Sequence, residues 1–329
     1  MPIPAFHGLF SCRALARYSA AALACALSMP LAAQPAQPSP PANTAKPDTQ
    51  TMESYRKAAA NGDALAMSRL GWMYYDGKGV AQSYTQAAEW FHKAADKGDA
   101  DAMNNLGVMY ENGQGVAQSN TQAVQWFRKA ANKDYAAAMS NLGLMYANGQ
   151  GVAQSDTQAI KWFRKAADKD NAAAMYSLGV MYAYGKGVPQ SDTQAVQWFR
   201  KAATNGDAAG MYNLGVMYAK GHGVDQSDTQ AVQWFRKAAD KDYASAMFSL
   251  GVMYADGRGV TQSDTQAVEW YRKAAAKDYA AAMYNLGVMY ANGQGVAQSD
   301  AQAIEWYGKA ARAGHEKAKN LLRKMGLSW

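Results

Sequence analysis

The chain has 329 residues, 49% hydrophobic and 18% charged, with a formal net charge of +7 at pH 7. A balance that mild lacks the concentrated basic footprint of a nucleic-acid binder. The only cysteines are Cys12 and Cys25, which excludes a disulfide framework for everything downstream.

Residues 1–33 read as a secretory signal peptide. Arg13 and Arg17 are the only charged residues before Lys46, the apolar run Tyr18–Leu27 follows them, and Pro30-Leu-Ala-Ala33 supplies a small-residue site. Basic head, apolar core and small residues predict cleavage near Ala33. The run is shorter than the roughly 20 residues that span a bilayer, so no stable membrane span is expected. Removing the two arginines lowers the charge from +7 to +5. Residues 34–50 hold Pro35, Pro38, Pro40, Pro41 and Pro47 among Ala, Thr, Ser and Gln, the composition of a disordered leader.

From residue 51 to 329 the chain is one array. A block of 36 residues recurs seven times without a gap, from Ala64–Asp99 to Ala280–His315. A fixed period in that range marks a stack of small units, each packed on its neighbours, with a long surface for binding. In the last block, Ala282, Met283, Leu286, Gly287, Met289 and Tyr290 occupy positions 3, 4, 7, 8, 10 and 11. That spacing predicts a first helix, A, with one wide apolar face. Gly293 and Gly295 end it, the first as a left-handed cap. Ser299-x-x-Gln302 then predicts a capping box opening a second helix, B. Ala303, Ile304, Trp306, Tyr307, Ala310 and Ala311 form its buried face, with Trp306 supplying most of the buried area. Period places seven of the nine tryptophans at position 27 and fourteen of the 18 methionines at positions 4 and 10, so they are expected to be core. Tyr55–Ala60 aligns with helix B and Glu316–Trp329 with helix A, as half-repeat caps. In the second, Lys319 and Arg323 replace Met and Gly, the polar change that a terminal cap requires.

The unit A-x-A-M-Y-N-L-G-V-M-Y-A-N-G-Q-G-V, followed by A-I-E-W-Y-x-K-A-A, resembles the Sel-one-like repeat (SLR) family, a relative of the tetratricopeptide repeat. The resemblance covers residues 51–329. It implies an all-α fold, a right-handed superhelical α-solenoid of seven helix-turn-helix repeats. It also implies adaptor and scaffold roles, with many bacterial members exported to the envelope. Some exported relatives carry a cysteine pair in each repeat and resemble weak penicillin binders; those cysteines are missing here.

No motif for chemistry stands out. His7, His92, His222 and His315 have no zinc-ligand spacing, and the loop glycines lack the third glycine of a dinucleotide fingerprint. Ser54-Tyr-Arg-Lys57 matches S-x-x-K, but S-D-N and K-T-G are absent. Arg128, Arg164, Arg200, Arg236 and Arg272 share position 29 beside a recurrent lysine. Arg164/Asp168, Arg236/Asp240, Glu269/Lys273 and Glu305/Lys309 are spaced as ion pairs along the helix, which predicts a solvated outer face rather than a nucleic-acid stripe. No cofactor and no metal are expected.

By analogy with related helical stacks, helix A lines the concave side. Its position 5 carries Tyr176, Tyr212, Phe248 and Tyr284, and position 6 carries Asn105, Asn141, Asn213 and Asn285. The candidate site is therefore an aromatic ladder with asparagines able to clamp a peptide backbone; the competing reading packs these aromatics between neighbouring A helices. The function expected is an exported, monomeric, non-enzymatic scaffold that binds protein partners in the periplasm or outside the cell. A carbohydrate-binding module for peptidoglycan or exopolysaccharide is the first alternative, and a weak β-lactamase-like hydrolase is the second.

Overall fold

The computed structural model describes residues 49–329, so the predicted signal peptide and the leader up to Asp48 lie outside the described residues. Among the described residues there are sixteen α-helices and no strands. Helix α1 (Thr49–Ala60) includes the last two residues of the predicted leader. The repeats follow as α2 (Ala64–Asp76) with α3 (Tyr84–Asp96), α4 (Ala100–Asn112) with α5 (Asn120–Ala131), α6 (Ala136–Asn148) with α7 (Asp156–Ala167), and α8 (Ala172–Tyr184) with α9 (Asp192–Thr204). They continue as α10 (Ala208–Lys220) with α11 (Asp228–Ala239), α12 (Ala244–Asp256) with α13 (Asp264–Ala275), and α14 (Ala280–Asn292) with α15 (Asp300–Arg312). Helix α16 (Glu316–Lys324) closes the array. The helices group into two compact units, one ending at Ser191 and one beginning at Asp192. Within each unit every helix packs on the helices that precede and follow it in the chain. The protein is an all-α solenoid.

Local chemistry sets the helix ends. Asp63, Asp99, Asn171 and Asp207 cap the A helices with their side chains, while Tyr135, Tyr243 and Tyr279 provide no side-chain cap. Each A helix stops at a left-handed glycine such as Gly221, φ 69°, whose N–H donates to the Met217 carbonyl. The second loop glycine has a different task. A Cβ on Gly223 would overlap the Asp192 carbonyl of the preceding repeat, so the loop lies directly on the start of its neighbour's B helix.

The capping box is half made. Ser227 Oγ accepts from the Gln230 N–H at 3.3 Å. The Ser227 N–H, which the glutamine side chain was expected to serve, donates instead to the Tyr218 carbonyl at 2.9 Å. That bond ties the loop back to helix A and leaves the Gln nothing to reach for.

The core differs from expectation in one respect. The deepest side chain of helix B is the aromatic at position 28: Phe91, Phe127, Phe163 and Phe235 are 0% exposed. Each ring lies over the glycine at position 8 of its own repeat, so a Cβ on Gly215 would sit 2.7 Å from the Phe235 ring. The tryptophans at position 27 are mostly half-buried. Their outer faces are roofed by the lysine three residues on, from 3.8 Å at Lys129 over Trp126 to 4.5 Å at Lys165 over Trp162, a cation–π contact. Trp is therefore the rim of the core and Phe or Tyr its centre, because position 28 points at the partner helix while position 27 is turned about 100° from it.

Candidate interaction surface

The predicted ladder is packing rather than an open ledge. Tyr212, Phe248 and Tyr284 are only 5%, 5% and 7% exposed. Tyr212 lies 5.6 Å from Phe235 and 5.3 Å from Tyr243, and Phe248 lies 5.7 Å from Tyr271 and 5.2 Å from Tyr279. Tyr284 meets Tyr307 at 5.5 Å and stacks on His315 at 4.5 Å. Each ring is thus held between positions 28 and 36 of its own repeat. Tyr176, in the other unit, is half-buried.

The predicted asparagines also point inward or to a neighbouring repeat. Asn105 is fully buried and donates to the Asp101 carboxylate at 3.2 Å. Asn141 donates to Asn104 Oδ1 at 2.9 Å, one repeat back. Asn213 turns onto its own helix, donating to the Ala209 carbonyl at 2.9 Å. Asn285 hydrogen-bonds the hydroxyl of Tyr271, whose burial pushes its pKa well above the ordinary phenol range. Position 5 turns onto positions 28 and 36 of its own repeat, and position 6 onto its own helix or the preceding repeat.

The outer arginines have unforeseen partners. Arg128, Arg164, Arg200, Arg236 and Arg272 each donate to the Tyr hydroxyl 18 residues on, at 2.7–3.0 Å. These are clasps between successive repeats. Of the four predicted ion pairs, only Glu305–Lys309 forms, at 2.7 Å; Arg164 and Arg236 are committed to tyrosines. In the first repeat His92 takes the arginine's place and packs 5.2 Å from Trp126. In the last, Gly308 stands there, and its register partner, residue 326, is Gly rather than Tyr. Co-occurrence of Arg and Tyr at a constant 18-residue spacing was the signal available in the sequence.

The first two repeats carry a polar cluster around side chains that break the repeat pattern, Trp72, Tyr75, Asp101 and Glu111. The Asp101 carboxylate gathers Trp72 Nε1 at 3.4 Å, Asn105 Nδ2 at 3.2 Å and the Tyr135 hydroxyl at 2.7 Å. Tyr75 donates to Gln114 at 3.0 Å. Asn104 Nδ2 and Asn105 Oδ1 are buried without a partner. Glu111 is half-buried, and burial raises its carboxyl pKa. Along the adjoining edge, position 13 is exposed at Asp76, Asn112, Asn148, Tyr184 and Asn292 and half-buried at Lys220 and Asp256.

Among the described residues nothing couples Ser54 to a base: it is exposed on α1, and Lys57 pairs with Glu53 at 3.5 Å. Among the described residues no three His, Cys, Asp or Glu side chains are grouped to hold a metal ion. No helix among them is long and apolar enough to cross a membrane.

The Sel1 repeat profile matches seven segments, 64–99, 100–135, 136–171, 172–207, 208–243, 244–279 and 280–315. The chain belongs to the Sel1 repeat family. These segments coincide with the helix pairs described above. No curated protein matches the chain significantly. Among solved structures it is similar to c5321, a protective antigen present in uropathogenic Escherichia coli strains that displays an SLR fold, at 36% identity and TM-score 0.71. That match covers 82% of this chain and 58% of the antigen, so this chain spans little more than half of that protein. It is also similar to a Sel1 repeat protein from Oxalobacter formigenes, at 31% identity and TM-score 0.65, over 74% of this chain and 96% of that one. Sel1 repeats generally mediate protein–protein interactions, and the solenoid fold is generally non-enzymatic.

Proposed function

We propose that this Sel1 repeat protein is an exported, non-enzymatic scaffold that binds protein partners in the periplasm or outside the cell. The observation that carries the reading is the contrast between a near-uniform core and a helix-A edge whose exposed position 13 varies from repeat to repeat. A solenoid stabilised by identical interfaces leaves its variable edge free to encode recognition. Export rests on the basic, apolar and small-residue order of residues 1–33. Carbohydrate binding is less favoured. Sugar stacking needs open ring faces, whereas the position 5 rings of the C-terminal unit are buried and the position 27 rings are roofed by lysine.

The test is site-specific photo-crosslinking on the full chain. A crosslinking residue replaces Asn148 or Tyr184 on the helix-A edge, with Gln125 or Gln197 on helix B as controls. The expected outcome is one protein species joined at 148 or 184 and not at 125 or 197. Equal labelling at all four positions, or none, overturns the scaffold reading. Fractionation with N-terminal sequencing checks export. Processing near Ala33 is expected, and an intact N-terminus in the cytosol overturns it.

A further inference from the structure

Glu111 stands where the repeat has no use for a charge. Its position 12 is alanine in five repeats, and Ala147, Ala183, Ala219 and Ala291 are 3–9% exposed. Glu111 is half-buried there, and among the described residues no cation pairs with it. A desolvated carboxylate without a counter-charge costs stability, and burial alone drives its pKa upward.

The surroundings show what the carboxylate faces. Asn104 precedes Glu111 by seven residues, two turns of α4, so the two share one stripe about 10.5 Å apart. Asn104 Oδ1 receives Asn141 Nδ2 from α6 at 2.9 Å, which places that stripe on the crease between α4 and α6. Asn148 follows Asn141 by the same seven residues. Glu111 and Asn148 therefore repeat the Asn104–Asn141 relation two turns along, where Asn148 is exposed. Asn148 turns its Nδ2 toward Gln150 Oε1 at 3.5 Å, keeping its Oδ1 as an acceptor. Deeper on α4, Asn104 and Asn105 are only 1% and 0% exposed, and Asn104 Nδ2 and Asn105 Oδ1 have no partner among the described residues. This helix carries more polar capacity than the described residues satisfy.

Resting on the scaffold reading above, we propose that the α4–α6 crease at Glu111 and Asn148 receives a lysine or arginine side chain from an extended segment of a protein partner. Carboxylate and amide oxygens accept only, and ammonium or guanidinium groups donate only, so the pairing is complementary. A cation there supplies the missing counter-charge, while an acidic segment meets repulsion. The remaining main chain runs along the variable position 13 edge.

The probes are two capped peptides, Ala-Ala-Lys-Ala-Ala and Ala-Ala-Glu-Ala-Ala, titrated to about 10 mM into the isotopically labelled full chain and into its Glu111→Gln variant, with side-chain amide shifts as readout. Saturable shifts at Asn148, Asn141 and Asn104 are expected with the lysine peptide only, weakened about tenfold by Glu111→Gln. Circular dichroism confirms that the isosteric variant folds. Equal shifts with the glutamate peptide, shifts unchanged in Glu111→Gln, or no shifts at all overturn the proposal. The crosslinking experiment separates the two readings. A partner joined at Asn148 equally in wild type and Glu111→Gln leaves the scaffold standing and removes this site; no partner in either removes the scaffold.

Discussion

At the residue scale, close approach decides which substitutions matter. Glycine at position 8 is helical, and alanine would normally gain about 1 kcal/mol there from propensity. In Gly215 the added Cβ meets the Phe235 ring at 2.7 Å and the Ala231 carbonyl at 3.2 Å. Overpacking against a fully buried ring costs about 1–3 kcal/mol, so the clash outweighs the propensity. Gly215→Ala is expected to destabilise the protein, measured as a lower urea midpoint. Tyr307 makes the opposite case. Tyr271 and Tyr307 both replace the phenylalanine of position 28, but Tyr271 finds Asn285, whereas the register equivalent of Asn285 after Tyr307 is Leu321. The Tyr307 hydroxyl is accordingly buried without a partner. Tyr307→Phe removes that group and is expected to stabilise by about 1–2 kcal/mol; a lower thermal midpoint would contradict the orphaned hydroxyl.

At the element scale, α16 depends on a histidine. His315 Nδ1 accepts the Ala318 N–H at 3.3 Å as the N-cap, while its ring stacks on Tyr284. Burial holds its pKa below the ordinary value of 6.5, aided by Lys317 and opposed by Glu316. A depressed folded pKa means the folded state prefers neutral imidazole. The stabilisation is full above about pH 6.5 and is lost as pH falls through the lowered folded value. A protonated ring cannot accept the capping hydrogen bond. Hydrogen exchange in residues 316–324 is expected to quicken between pH 7 and 5, after correction for intrinsic rates, more than in α14. His315→Asn, with the cap chemistry that Asn171 already shows, should abolish the difference. Fraying of α16 that is equal in both proteins would point to another group.

At the scale of the whole molecule, stability is a sum over similar interfaces. Deleting residues 280–315 joins Tyr279 to Glu316 in unbroken register. The product is expected to fold with a smaller urea m-value, in keeping with the surface lost; an unfolded product would contradict a modular stack. The end of the stack is set by polar substitutions. Arg323 is exposed at the position where other repeats have glycine beneath a ring, and Lys319 replaces the core methionine. The double variant Lys319→Met, Arg323→Gly is expected to self-associate, read as concentration-dependent mass in sedimentation, because it offers a docking face for the half-buried Tyr55 of a second copy. A strictly monomeric variant would show that the two polar residues are not what terminates the array.

The sequence by itself determined the elements, their ends and the seven-fold repetition. Those features are local: helix periodicity, left-handed Gly221, the Ser227 cap and a 36-residue period are all read within one block. The half-made capping box is instructive, since the Ser227 N–H bond to Tyr218 spans nine residues and competes with the local partner. Only the tertiary structure decided which helix faces meet the neighbouring repeats. Tyr212 and Asn285 look like groove residues on a single helix, but Tyr212 is buried against Phe235 and Tyr243 of its own repeat and Asn285 bonds Tyr271 of the preceding one. Arg236 is exposed, as expected, but its partner is Tyr254 of the following repeat at 2.7 Å rather than Asp240. The period of one helix specifies where its apolar stripe lies, but the angle between successive hairpins is a property of the packed pair, so the roles of the flanking positions are settled only when two repeats meet.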